Sequence, residues 1–476
     1  MSQKNEAPIL ILSLFITLAA IGFGAYWLVG NLGLLGGDPA ATSTTSGSSD
    51  GSSDPAAPGS SSPTGGQLSQ GDRLLVSSNT SPQKQAGIQA IAAGNYSEAV
   101  QQLEAAIAAN RNDPEALIYL NNARIADRPA YTVAIAVPAS SASDSTEELL
   151  RGIAQAQNEV NQAGGIQGTP LKVVIADDGN SPDTAAQLAQ TLAGESDILG
   201  VIGHFSSDAT LAAGEVYQQQ SLPVISPTST SVRISGLGDY VFRTVQSDRF
   251  TADSLARYML DNNLQQAAVV YDSSSDYSSS LKDAFTSAVF SGGGQITAEV
   301  DVSSGFDANA AVEQAIQQGT QVLMLATNTQ TRPQALQVIA ANRQRLQLLG
   351  GDSLFTAELL QTGQADAVGM VVAAPWHRDA DPSATFPQAA RQLWGGDVSW
   401  RSAMTYDAAQ VFIAAMAQNP TRSGIHQALN TPNFSANGAS GTIQFLPSGD
   451  RNRAAQLVVV QPGSQSGYGY DFTPLP

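Results

Sequence analysis

Apolar and polar positions along this chain change period several times, and each change marks a different kind of element. From Tyr131 onward, short apolar runs (TVAIAV, LKVVIA, ILGVIG) alternate with stretches of helical period, Thr146 to Ala163 and Thr184 to Ala193. The alternation restarts after Asp248 with AAVVY, a helix from Tyr277, QITAEV, a helix from Ala308, QVLMLA, a helix from Pro333 and LQLLGG. Strands that alternate with helices predict parallel sheets covered on both faces. The expected fold is therefore α/β, with two doubly wound lobes. After Gly369 come MVVAAPW, three helical stretches to about Leu429, and the strand-like GTIQF and AAQLVVV. These are too few strands for a third lobe and are expected to complete the first two. The chain then crosses between lobes three times, near Gln246, Pro375 and Leu446. Within a domain of 129–470, lobe I is expected at about 131–246 and 376–445, and lobe II at about 247–375 and 446–470.

Ahead of this domain the pattern is different. No charged residue stands between Glu6 and Asp38, and the apolar run Pro8 to Gly30 exceeds the ~20 residues that cross a bilayer. It is longer than the ~7–15-residue core of a cleaved signal and lacks a clear A-x-A site, so residues 1–35 predict an uncleaved single-pass anchor, with a cleaved signal sequence as the alternative. Lys4 precedes the span, while Asp38, Asp50 and Asp54 follow it. That places the start in the cytoplasm and the bulk of the chain in the periplasm, beyond the inner membrane. Residues 36–78, mostly Gly, Ser, Thr, Pro, Ala and Asp, cannot bury a core and predict a disordered tether. Residues 79–128 return to helical period, with Ala99, Leu103 and Ala106 on one face. Here AAGNYSEAVQQLEAAIAANRNDPEAL resembles a single tetratricopeptide repeat, with Arg111 where that family often has proline. This helical hairpin is either a cap on the next domain or a docking site for a protein partner.

Composition removes several functions. Among 476 residues, 41 Asp and Glu outweigh 22 Lys and Arg, for a net charge of -19, the opposite of a nucleic-acid footprint. With 0 cysteines there are no disulfides, thiolate metal sites or cysteine nucleophile. The histidines His204, His377 and His426 form no H-x-x-x-H pattern, so no metal is expected, and nothing calls for a cofactor. Ser207 stands in no G-x-S-x-G elbow, and no histidine accompanies it in a hydrolase order. No enzyme is expected.

The candidate chemistry gathers between Val201 and Ser231, where strand, hydroxyl-rich turn and helix recur twice. In an open parallel sheet such turns lie at the carboxyl ends of the strands, and the N–H groups at helix starts favour an anion. Two turns close together suit a carboxylate. The same residues have structural uses: Ser207 and Thr230 as helix caps, Tyr277 as a packed aromatic, and Asp352, after a Gly pair, as a turn residue.

The stretch Glu159 to Ser231 carries an AGGI-x-G turn at Ala163 to Gly168, the pair Asp177 and Asp178, VIG followed by a serine pair, and ISP followed by hydroxyl residues. In this order and spacing it resembles the class I periplasmic solute-binding proteins of the branched-chain amino acid and amide type. The similarity runs from about Tyr131 to Val460. It implies a ligand held between two closing lobes and ABC permease subunits as partners. It also implies that Ser207 binds the ligand's α-carboxylate, and that Thr228, Ser229 and Thr230 form a second turn serving carboxylate and ammonium. By the same resemblance Tyr277 closes over the ligand and Asp352 pairs with the ammonium. Asp352 is shorter than the glutamate common in relatives, and PASSASDSTEELL lacks the aromatic that often lines the side-chain pocket. A second functional reading is a ligand sensor of the same fold, signalling to a partner through the helical hairpin.

Overall fold

The computed structural model describes residues 67–303 and 305–475. The expected anchor at 1–35 and residues 36–66 of the expected tether lie outside them. Among the described residues no helix is long and apolar enough to cross a membrane.

Two sheets organise the chain. The first comprises β1 (Leu68–Ser69), β2 (Tyr131–Val137), β3 (Leu171–Asp177), β4 (Ile198–Ile202), β5 (Val224–Ser226) and β6 (Val241–Arg243), in the order β1-β3-β2-β4-β5-β6. The second contains β7 (Gln266–Tyr271), β8 (Gln295–Asp301), β9 (Val322–Ala326), β10 (Gln347–Gly350) and β11 (Val371–Ala374). Beyond it, β12 (Ala436–Gly438) and β13 (Gly441–Ile443) pair with each other. Strands β14 (Gln456–Pro462) and β15 (Tyr470–Pro474) then join the second sheet, which runs β15-β14-β11-β10-β9-β7-β8. Strands β2 to β6 pair in parallel, as do β7 to β11. Their orders, 3-2-4-5-6 and 8-7-9-10-11, are the same winding used twice.

Alternate residues explain why strands such as β2 and β7 are apolar along most of their length. Val133, Ile135 and Val137 of β2 enter one core cluster while Ala134 and Ala136 enter another. In β7, Ala268 and Val270 face one cluster and Ala267 and Val269 the opposite one. A strand buried on both faces has no polar side to show.

Two expectations hold in a changed form and one needs correction. GTIQF completes lobe I by packing and not as a strand of its sheet: Gly441–Ile443 pairs with Ala436–Gly438, and Ile443 joins the lobe I core. The segment AAQLVVV does join the second sheet, but antiparallel to β11, with β15 following it. The tether ends earlier than residue 78, because β1 adds antiparallel to β3 and the Leu75 and Val76 N–H groups donate to Glu115 Oε1 at 2.8 and 3.2 Å.

The helical stretch after the tether is three helices, α1 (Pro82–Ala92), α2 (Tyr96–Ala109) and α3 (Pro114–Ile125). They share one core with lobe I: Ile88, Leu103 and Leu117 cluster with Val133, Leu149 and Ile153. The remaining helices are α4 (Ser143–Gln162), α5 (Pro182–Gly194), α6 (Ser207–Gln219), α7 (Asp248–Asp261), α8 (Asp276–Ser291), α9 (Ala308–Gln317), α10 (Arg332–Asn342), α11 (Ala357–Gly363), α12 (Phe386–Trp394), α13 (Trp400–Met416) and α14 (Arg422–Leu429). Gly152 lets α13 cross α4 closely, since a Cβ there would meet the Ser402 carbonyl at 2.3 Å. This approach sets where the start of α13 falls.

The crossings converge on one side chain. Gln246 Nε2 donates to the Pro375 and Ala454 carbonyls at 3.2 and 3.4 Å, tying the three segments together. The turn at Leu446 still belongs to the first sheet's edge, where the Arg243 N–H donates to the Gly449 carbonyl at 3.0 Å.

Candidate functional site

In each sheet the strand order reverses beside the first strand of its series, β2 or β7. The loops at the carboxyl ends of the strands flanking that point are where an open α/β sheet holds a ligand. Here the loops of the two sheets face each other across a cavity of about 260 Å³. From lobe I it is lined by Phe205, Ser207, Asp208 and Thr228, and from lobe II by Ser275, Tyr277, Asn328 and Asp352; Trp400 and Arg401 complete it. Four of the six expected residues, Ser207, Thr228, Tyr277 and Asp352, therefore line one space. Ser229 and Thr230 are not among its lining residues.

The local bonding explains this division. Ser206, not Ser207, caps α6, accepting from the Ala209 N–H. Ser207 stands at the first helical position, where N–H groups lack an intrahelical partner, and its Oγ accepts the Ser231 N–H at 3.2 Å. Its hydroxyl proton is left to donate. The second turn is bound inward around the His204 carbonyl, which receives Thr210 Oγ1 at 3.3 Å, Ser226 Oγ at 3.1 Å and Ser229 Oγ at 3.2 Å. Thr228 Oγ1 donates to the Phe205 carbonyl at 2.7 Å. The cap expected of Thr230 falls to Ser231, which accepts from the Arg233 N–H and opens only a 3₁₀ turn, Val232–Gly236. Thr230 lies behind the cavity, its carbonyl accepting the Asp248 N–H at 2.8 Å. Arg243 holds the turn from below, donating to the Ser231 carbonyl at 2.8 Å and pairing with Asp450 at 2.6 Å. His204 is an internal residue: its ring meets Asp178 at 2.6 Å and Tyr217 at 3.1 Å.

On the opposite wall Tyr277 Oη donates to Asp352 Oδ1 at 3.0 Å. Tyr277 also packs in the lobe II core, so its packing and site roles coincide. Gly351 makes the approach possible, because a Cβ there would stand 2.5 Å from the Tyr277 hydroxyl. Burial pushes Asp352 up to about 6, against the pull of the Tyr277 hydroxyl and the Arg401 charge. Behind it, burial raises Asp248 to about 7, with the Ser280 and Thr230 hydroxyls and Arg243 opposing and the Asp352 charge adding. Asp352, the one of the two that lines the cavity, favours a cation beside it.

The lobes touch beside the cavity. The Asp276 N–H at the start of α8 donates to Asp208 Oδ1 at 3.0 Å, Arg233 pairs with Asp276, and the Val232 N–H donates to Ser280 Oγ at 2.8 Å. Sequence reasoning missed Arg401 and Trp400, which reach the cavity from α13. One signal was available: a cation at a helix start opposes the helix dipole, and Arg401 is in the first turn of α13.

Two equally wound lobes with helix starts, hydroxyls and a buried acid facing one cavity define a two-lobe receptor for a small polar solute. A family model described as periplasmic binding protein matches residues 130–466, and the chain belongs to that family. It is 26% identical over 309 residues to the leucine-specific-binding protein of Salmonella typhimurium, a match spanning 63% of this chain and 82% of the relative. Among solved structures, a leucine binding protein from Thermotoga maritima is 23% identical with a TM-score of 0.64, covering 72% of this chain and 97% of its own. A solute binding protein from Rhodopseudomonas palustris in complex with 3,4-dihydroxy benzoic acid is 17% identical with a TM-score of 0.63, covering 73% and 96%. These relatives are solute-binding proteins and not enzymes, and the family implies an extracytoplasmic location.

Proposed function

We propose that this chain is the solute-binding component of an ABC importer, held at the outer face of the cytoplasmic membrane by its amino-terminal segment. It captures an α-amino acid or a similar small zwitterion by closing two lobes. The observation that carries this reading is the facing of Ser207 and the α6 start in one lobe by Tyr277 and Asp352 in the other, across one cavity. A zwitterion leaving water needs both charges met. The helix start and the Ser207 hydroxyl suit the α-carboxylate, and Asp352 suits the ammonium. The Gln246 junction marks where the lobes would pivot, since hinges are a few residues that absorb the rotation. The ligands named for the Salmonella relative and the Rhodopseudomonas structure, leucine and a dihydroxybenzoic acid, share a carboxylate.

The test is calorimetric titration of the full chain with the common amino acids, beside melting curves at millimolar ligand. A bound amino acid raises the melting temperature in step with concentration over affinity, and Asp352→Ala is expected to abolish binding. Absence of any shift across the panel overturns the reading; unchanged affinity in the variant reassigns the ammonium partner. Recovery of permease subunits in a membrane pull-down supports transport, whereas a signalling kinase there supports the sensor reading.

A further inference from the structure

The cavity is lined by a cation, and beside it stand two buried hydrogen-bond donors that the chain leaves without acceptors. Arg401 is 4% exposed and Trp400 2% exposed, and both line the cavity. Arg401 Nη1 donates to Glu148 Oε2 at 2.9 Å, but Arg401 Nε and Trp400 Nε1 have no hydrogen-bond partner among the described residues. The guanidinium lies 4.7 Å from the Trp400 ring centroid and 5.8 Å from that of Phe205. It is thus held between aromatic faces, with its Nε–H unspent.

Arg401 also runs against local chemistry. It places positive charge in the first turn of α13, where the helix dipole disfavours it. Conflicts of this kind between a residue and its local rule concentrate at functional sites. Glu148 offsets the charge and satisfies one arm of the fork, but it does not reach Nε. A buried donor that finds no acceptor in the protein is costly unless a ligand supplies one.

Resting on the reading of this cleft as an amino-acid site, we infer that Arg401 and Trp400 form a side-chain subsite for a group that accepts hydrogen bonds. The ligand class is an amino acid whose side chain ends in a carboxylate or carboxamide, and not one with a branched aliphatic side chain. An isobutyl group against Arg401 would cover the cavity side of its guanidinium with nothing to accept a hydrogen bond. Sites built to hydrogen-bond a substrate reject analogues lacking that group far more strongly than apolar pockets discriminate by size. A terminal oxygen in the planar fork of Arg401, by contrast, meets the geometry that guanidinium groups favour. The lining supports this with further polar side chains, Asn180, Asn328 and Gln330.

The experiment is competitive calorimetry of the full chain with L-glutamate, L-glutamine and L-leucine, repeated with Arg401→Lys and Arg401→Met. Glutamate or glutamine is expected to bind at least ~100-fold more tightly than leucine. Arg401→Lys keeps the charge beside Glu148 but lacks the fork, and is expected to shrink that ratio at least ~10-fold. Arg401→Met is expected to bring leucine level with the better polar ligand. Melting curves of both variants establish that they fold, and Arg401→Lys carries the test if Arg401→Met does not. Leucine binding within a few-fold of both polar ligands overturns this inference while leaving the amino-acid reading intact. A ratio unchanged in a folded Arg401→Lys also overturns it. Failure of all three to bind overturns this inference, and failure of the whole panel of common amino acids overturns both.

Discussion

Two buried clusters of charge in this molecule differ in one respect. Between the helical segment and the strap that precedes it, Lys84 is fully buried and pairs with Asp113 at 2.9 Å and Glu115 at 2.8 Å. Asp113 caps α3 through the Ala116 N–H at 3.0 Å. Glu115 takes the N–H groups of Leu75 and Val76 and the Tyr119 hydroxyl. Every charge there has an opposite charge, and the cluster fastens residues 75 and 76 to α3. In the cavity, Asp352 accepts the Tyr277 phenol and not a cation, and Arg401 keeps an Nε without a partner among the described residues. Buried ionic groups that the chain satisfies hold the fold together. Those it leaves partly open are free to recognise a ligand.

The comparison breaks most visibly at Lys84. Lys84→Met would leave Asp113 and Glu115 buried without their cation, and removing one partner of a buried pair typically costs about 3–5 kcal/mol. We expect a loss of that size in chemical denaturation, with amino-acid affinity unchanged while the protein remains folded. Because α1 to α3 share the lobe I core, the loss should appear in the lobe's own transition. An early, separate transition of the helices would show that the two units are independent.

Asp352 in the cavity and Asp248 behind it sharpen the contrast through pH. Asp352 stands near 6 and Asp248 near 7 in the folded protein, both above ordinary aspartate. The folded ligand-free protein therefore binds more protons than the unfolded chain between about pH 4 and 7. These two groups contribute stability that is complete below the unfolded value and lost as pH rises through 6 and 7. Ligand binding runs the other way, because an ammonium requires Asp352 ionised. For an amino acid whose own amine and α-carboxyl stay charged, affinity should fall about tenfold from pH 7 to pH 5. Melting curves and titrations at the two pH values check both signs. Affinity that is flat with pH would mean that Asp352 does not meet the ammonium.

What the sequence made legible follows from where information is local. Strand and helix alternation is written in the runs of β2 to β4 and β7 to β11, and turns that open helices advertise their hydroxyls; the resemblance to the solute-binding family supplies the ligand roles of Ser207, Thr228, Tyr277 and Asp352. Which hydroxyl of a turn faces in is not local: Ser226 and Ser229 are drawn to the His204 carbonyl, arriving from β4. The two residues of β1 are too few to show a period, so the strap read as tether. Arg401 reaches the cavity only because α13 crosses α4 at Gly152, a contact between segments about 250 residues apart. Its oddness at a helix start could be read; its destination could not.

The smallest expected effect tests the cavity side of the comparison most closely. Tyr277→Phe keeps the ring in the lobe II core, where Phe occupies nearly the same volume, and removes only the hydroxyl that donates to Asp352 Oδ1 at 3.0 Å. A hydrogen bond to a charged group is worth about 1.5–3 kcal/mol in favourable cases, less where water replaces it. We therefore expect a loss of roughly fivefold to tenfold in affinity at pH 7. That hydroxyl also holds the Asp352 carboxyl down, so removing it should move the pH midpoint of binding upward from about 6. A packing defect would lower stability and affinity without moving the midpoint. An upward shift with an unchanged melting temperature would show the phenol acting on the carboxylate charge, which no residue of the Lys84 cluster should reproduce when altered.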